Sequence, residues 1–191
     1  MSQSFRPVKC LGYECYPPGE EPKSFKKGDF ILTHGSAWTS KLIRFGQKLR
    51  FHGVDAKYTR WNHCALIINA NGEIAEALGA GIKKTNISKY KQNEYFLVRI
   101  IASDEDREQA VAFALYSLEE KYGWITILSV AVCLLTGLKF SFGFDDEKIC
   151  SGLVARAMER TWAIFNRTPS HITPADLAKY YNVDPTNQKE Y

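Results

Sequence analysis

His-Cys-Ala-Leu-Ile-Ile-Asn-Ala-Asn-Gly-Glu-Ile-Ala-Glu-Ala, residues 63–77, is the stretch on which the reading of this chain turns. His63–Asn69 is an apolar, β-branched run, Asn71-Gly72 is a strong turn signal, and Glu73–Leu78 returns as a second strand. Alternation places His63, Ala65 and Ile67 on one face and Cys64, Leu66 and Ile68 on the other. With the turn at Asn71-Gly72, Glu76 comes back beside His63. A carboxylate there accepts the imidazole N–H, fixes the tautomer and supports an imidazolium. Glu73 lies nearer the turn and is expected to be exposed. The small Ala65 leaves room for a facing helix.

Upstream of this hairpin, Asp29–Thr33 reads as a short strand and residues 36–50 as a helix with Trp38, Leu42, Ile43, Phe45 and Leu49 at helical spacing. Residues 51–61 read as a loop. Residues 1–27 are rich in Pro, Gly and charge and read as an irregular N-terminal arm. Downstream, Gly79 and Gly81 end the hairpin strand, and Tyr95–Ile101 is a further strand. Ser103 caps a helix running to about Lys121, with Ala110, Phe113, Ala114 and Leu118 on one stripe. An apolar helix over Trp124–Leu138 and a loop over 141–148 lead to a helix from Cys150 to about Phe165. A last short helix begins at Pro174 with Thr173 as cap. A small antiparallel sheet in the first half, packed against helices in the second, makes the class α+β. The domain proper is expected over residues 28–185.

Cys150 opens the run Cys-Ser-Gly-Leu-Val, read as the first turn of its helix. Unpaired N–H groups and the positive helix end favour the thiolate, the form that attacks carbonyl carbon. A cysteine in an amphipathic helix is ordinarily a core residue. Here it follows a polar loop and precedes Ser151-Gly152. Glycine suits a helix start better than its interior, and small residues let a carbonyl approach the backbone amides. Cys150, His63 and Glu76 thus supply nucleophile, base and orienting carboxylate. His34, His52 and His171 compete for the base role from loops or element edges. Ser151 and Trp61 are further candidates for substrate or oxyanion contact.

Composition narrows the class. The chain has 191 residues, 45% hydrophobic and 24% charged, as expected of one ordinary globular domain. The five cysteines (10, 15, 64, 133 and 150) have no zinc spacing, and a thiol mechanism needs neither a metal nor an organic cofactor, so none is expected. Cys64 and Cys133 read as inert core residues. Cys10 and Cys15 are free either to pair or to stay reduced. The formal charge is +4, and cations concentrate between Lys23 and Arg60. That segment is either a solvated helix face or a footprint for peripheral contact with an anionic surface. No nucleic-acid motif is present, and no nucleic-acid partner is expected. The first residues lack the apolar core of a signal peptide, and Trp124–Leu138 is shorter than the roughly 20 residues of a spanning helix. A cytoplasmic protein, or one delivered without a signal peptide, is expected.

Taken together, these stretches resemble the NlpC-type peptidase superfamily, the papain-like cell-wall amidases. Lys-Gly-Asp-Phe-Ile-Leu (27–32) looks like the family's Gly-Asp strand, residues 63–77 resemble its histidine hairpin, and Cys-Ser-Gly-Leu-Val resembles the run around its nucleophile. Lys-Tyr-Gly-Trp (121–124) is similar to a Tyr-x-Trp element upstream of the cysteine. The cysteine helix follows the histidine hairpin here, an order that resembles the circularly permuted branch with its YiiX-like hydrolases and, more distantly, lecithin:retinol acyltransferase-like enzymes. The resemblance implies a papain-like fold over about residues 27–180 and a cysteine hydrolase acting through an acyl-enzyme. It also implies Tyr122 as a hydrogen-bond donor near the oxyanion. The implied substrates are a cell-wall peptide or glycopeptide, or an acyl lipid. Acyl transfer and an inactive papain-like binding module are the alternatives.

Overall fold

The turn at Asn71-Gly72 sets the hairpin. The Asn69 side-chain oxygen accepts the N–H groups of Asn71 and Glu73 at 3.0 and 3.2 Å. Gly72 takes φ +73, and a Cβ there would lie 2.8 Å from the Phe25 ring and 2.9 Å from Ile87. Only glycine meets both demands. The computed structural model describes residues 10–34, 38–78, 81–118 and 150–186.

The hairpin belongs to a six-stranded antiparallel sheet. Its strands are β1 (Cys10–Tyr16), β2 (Phe30–Thr33), β3 (His63–Ile67), β4 (Glu73–Leu78), β5 (Gly81–Asn86) and β6 (Tyr95–Ile100), in the order β1-β6-β2-β3-β4-β5. Among the described residues the α-helices are α1 (Trp38–Arg50), α2 (Asp104–Tyr116), α3 (Cys150–Glu159) and α4 (Pro174–Tyr180). The class is α+β. Alternation divides the core across the sheet. On one side Cys64, Leu66, Phe96 and Val98 pack with Leu153 and Val154 of α3 and Leu177 of α4. On the other, Ile31, Ala65, Ile67, Ile74 and Leu97 pack with Ile87 and Tyr90.

Several boundaries differ from expectation. The segment read as an irregular arm supplies β1, which pairs with β6 along an edge and carries a bulge between Cys10 and Gly12. Its proline and glycine cluster begins only at Pro17, after the strand. Cys10 and Cys15 lie on this one strand, about 16 Å apart at its rise per residue, too far to bond. Gly81 opens a strand instead of ending one, and β5 carries exposed Lys83 and Lys84 on the other edge. Residues 53–60 form a 3-10 helix within the expected loop. Helix α2 stops at Tyr116, where Ser117 donates its N–H back to Phe113 O. Helix α3 stops at Glu159 because Trp162 takes φ +65 and Ala163 N–H bonds Met158 O, a Schellman closure built without glycine. Thr173 caps α4 as expected, and Asp176 completes a capping box with it. The apolar stretch 124–138, the loop 141–148, Tyr122 and Cys133 lie outside the described residues. Among the described residues no helix is long and apolar enough to cross a membrane.

The Gly28-Asp29 pair locks the sheet to α2. Arg107 of α2 donates through Nη1 to Asp29 Oδ1 at 2.9 Å and to Lys27 O at 2.7 Å, and through Nη2 to Ile100 O. Asp29 Oδ1 also accepts the Ile100 N–H at 3.1 Å, and Oδ2 faces Arg99 Nη1 at 3.3 Å. Both Asp29 and Arg107 are buried. Arg107→Ala leaves a buried carboxylate short of its main partner and is expected to cost about 3–5 kcal/mol. Urea unfolding measures it, and a loss under about 1 kcal/mol would assign the clamp no structural weight.

Candidate active site

Three elements meet at one end of the hairpin. His63 is the first residue of β3, opposite Thr33 of β2. Glu76 comes from β4 on the same face, and Cys150 is the first residue of α3. Packing of α3 against the sheet through Leu153 and Val154 aims its N-terminus at His63 and Cys64. The first amides of α3 are the ones a helix leaves without internal acceptors.

The carboxylate of Glu76 is fully buried and bound at both oxygens. Oε2 lies 3.0 Å from His63 Nε2 and accepts the Tyr90 hydroxyl at 2.6 Å. Oε1 accepts Thr85 Oγ1 and Lys89 Nζ. Burial alone raises a carboxyl pKa. Here the donors His63, Lys89, Thr85 and Tyr90 outweigh it and hold Glu76 at about 2. With Nε2 engaged by Glu76, Nδ1 is the ring nitrogen left to face Cys150. Burial lowers the His63 pKa, but the charge and bond of Cys150, then those of Glu76, raise it to about 9. The Cys150 thiol is pushed well below its usual value. The hydrogen bond from the Cys64 thiol is the largest influence, burial opposes it, and the charge and bond of His63 add to the lowering. Cys64 itself is held protonated, raised by burial and then by Cys150. The arrangement stabilises a thiolate–imidazolium pair backed by an ionised carboxylate.

Cys64 has a part that alternation conceals. Its side chain faces the helices, as expected of a core residue. The β3–β4 pairing ends at Leu66–Ala75, and beyond that point the Cys64 thiol and backbone amide act on Cys150, both lowering its pKa. Thr85, Lys89 and Tyr90 are likewise unmarked by the sequence pattern. They lie on β5 and the 3-10 turn after it, a stretch with no strong strand pattern.

Two of the further candidates take other roles. The Ser151 hydroxyl donates to Ile172 O at 2.6 Å and ties α3 to the segment before α4, so its side chain is not an oxyanion donor. Trp61 is completely buried, its ring tilted against Phe96 at 4.6 Å between centroids, and belongs to the core instead of a substrate wall. Tyr122 lies outside the described residues. Of the competing histidines, His34 lies against Trp61, His52 is exposed, and His171 Nδ1 is 2.9 Å from Thr168 Oγ1. No family model and no curated protein matches this chain.

The pKa of Glu76 couples the site to stability. Its folded value lies below the ordinary carboxyl value of 4.5. Its contribution is therefore complete above pH 4.5 and is lost as pH falls toward 2. Glu76→Gln is expected to be less stable than the parent at pH 7 and to lose less stability on acidification over this window. Urea unfolding at pH 7, 4 and 3 checks this. Parallel acid limbs for parent and variant would contradict it.

Proposed function

We propose that this protein is a cysteine hydrolase of a permuted papain-like kind that cleaves an amide bond through an acyl-enzyme. The observation that carries the reading is the series Cys150–His63–Glu76 at the start of α3: His63 Nε2 lies 3.0 Å from Glu76 Oε2, and His63 and Cys150 each favour the other's charged form.

The thiolate of Cys150 attacks the carbonyl carbon, and the negative charge moves to the carbonyl oxygen. Backbone amides at the start of α3, that of Cys150 first, face this oxyanion and stabilise it. The His63 imidazolium gives its proton to the leaving amine, which departs as the thioester forms. The now neutral His63 takes a proton from water, the hydroxide attacks the thioester, and the thiolate is released with the imidazolium restored. Glu76 keeps Nε2 protonated throughout and so presents Nδ1 to the reaction. Peptides of the bacterial cell wall are the first substrate class to test, and acyl lipids the second.

This mechanism needs the imidazolium as acid. The rate is expected to fall at alkaline pH with an apparent value of about 9, where His63 loses its proton. The acid limb follows Cys150 and lies below the usual thiol range. Incubation with muropeptides and with N-acyl amides, scored by released amine across pH and by a trapped Cys150 thioester in the mass spectrum, tests the reading. Turnover that persists without any thioester, or that rises through pH 9, would refute it.

A further inference from the structure

The basic segment 41–60 divides into two halves. Arg50, Lys57 and Arg60 are engaged by Asp176, Asp184 and Glu94. Lys41, Arg44 and Lys48 are exposed and have no acidic partner among the described residues. All three lie on α1, whose inner face is fixed to the body of the protein. Ile43 is buried there, and Gln47 donates to Trp61 O at 2.7 Å and accepts the Ala175 N–H at 2.9 Å. At 3.6 residues per turn, the opposite face carries Arg44, Lys48 and Lys41 side by side, with Phe45 and Leu49 adjoining them. Phe45 is 54% exposed and Leu49 42%, and Val54 just past the helix is 86% exposed. Two large apolar side chains one turn apart, beside three cations with no acidic partner among the described residues, are unlike a merely solvated helix face.

We propose that the outer face of α1 is a docking surface for an anionic lipid bilayer. The charge fits the anionic headgroups, and Phe45 and Leu49 fit the boundary between headgroup and acyl chain. An acidic polysaccharide would use the cations but has no use for the two apolar side chains. Gln47 ties the inner side of this helix to Trp61, two positions before His63, so α1 is anchored next to the start of β3. The proposal concerns binding and does not depend on the hydrolase reading.

The test is co-sedimentation of the full chain with vesicles of phosphatidylcholine alone, vesicles containing phosphatidylserine, and purified acidic wall polymer. Binding to the phosphatidylserine vesicles is expected, weakened by salt. The variant Lys41→Ala/Arg44→Ala/Lys48→Ala is expected to bind them about a hundredfold more weakly, near fivefold for each cation. Phe45→Ser/Leu49→Ser is expected to lose about tenfold or more. Both variants alter exposed side chains, and thermal unfolding matching the parent verifies their fold. Equal binding to both vesicle types, no vesicle binding, or binding to the wall polymer that ignores Phe45→Ser/Leu49→Ser would each overturn the proposal.

Discussion

Cys150→Ala is expected to lower turnover of an amide substrate by about 10⁵–10⁶-fold, the scale at which nucleophile loss removes a whole catalytic unit. The side chain is 2% exposed, and alanine fits its place with only the sulfur missing. Leu153 and Val154 hold the helix against the sheet, and Ser151 ties it to Ile172, so the fold survives. The thiolate is also the first support of the high His63 pKa, after the opposing effect of burial. His63 in Cys150→Ala is therefore expected to titrate below its value of about 9, a change visible in the imidazole proton shifts. Full activity in this variant would end the proposed mechanism, and an unshifted His63 would show that the two side chains do not interact.

His63→Ala carries the second large effect. It removes the group that takes the thiol proton and the group that returns it to the leaving amine. Of the groups that depress the Cys150 pKa, the Cys64 thiol ranks first. A neutral S–H is a weak donor, however, and it cannot carry a proton to the leaving group. Without His63, burial regains weight and the thiol becomes predominantly protonated at neutral pH. A loss of about 10⁴-fold or more in kcat/KM is expected, and the alkaline limb near pH 9 disappears with it. A variant that keeps the alkaline limb would assign that limb to another group.

Much of this site is legible in the amino-acid sequence itself. Asn71-Gly72 is a turn that admits few alternatives, and once it is placed, Glu76 must return near His63. Ser151-Gly152 after Cys150 marks a helix start in the same direct way. The resemblance to a permuted papain-like family rests on these same residues. The hidden parts are carried by weaker signals. Strands β1 and β5 are the two edges of the sheet: β1 is partly buried along its length with no inside–outside alternation, and β5 is polar over its second half, so neither has the apolar signature of β2, β3 or β6. With β5 unmarked, Thr85, Lys89 and Tyr90, the donors that hold Glu76 ionised, go unmarked as well. The end of α3 is hidden because Trp162, not glycine, takes the left-handed position. Trp61 misleads for a different reason. A tryptophan two residues ahead of a base suggests a substrate wall, yet its ring fills the space between Phe96 and His34.

The most direct measurement is the rate of Cys150 alkylation against pH, read by intact mass and peptide mapping, in the parent and in His63→Ala. A free thiol titrates near ~8.5. Cys150 is expected to be labelled selectively already at pH 6 in the parent, and its labelling to shift to alkaline pH in His63→Ala. Labelling that is slow at pH 6, equal at Cys10, Cys15 and Cys150, and indifferent to His63 would contradict this.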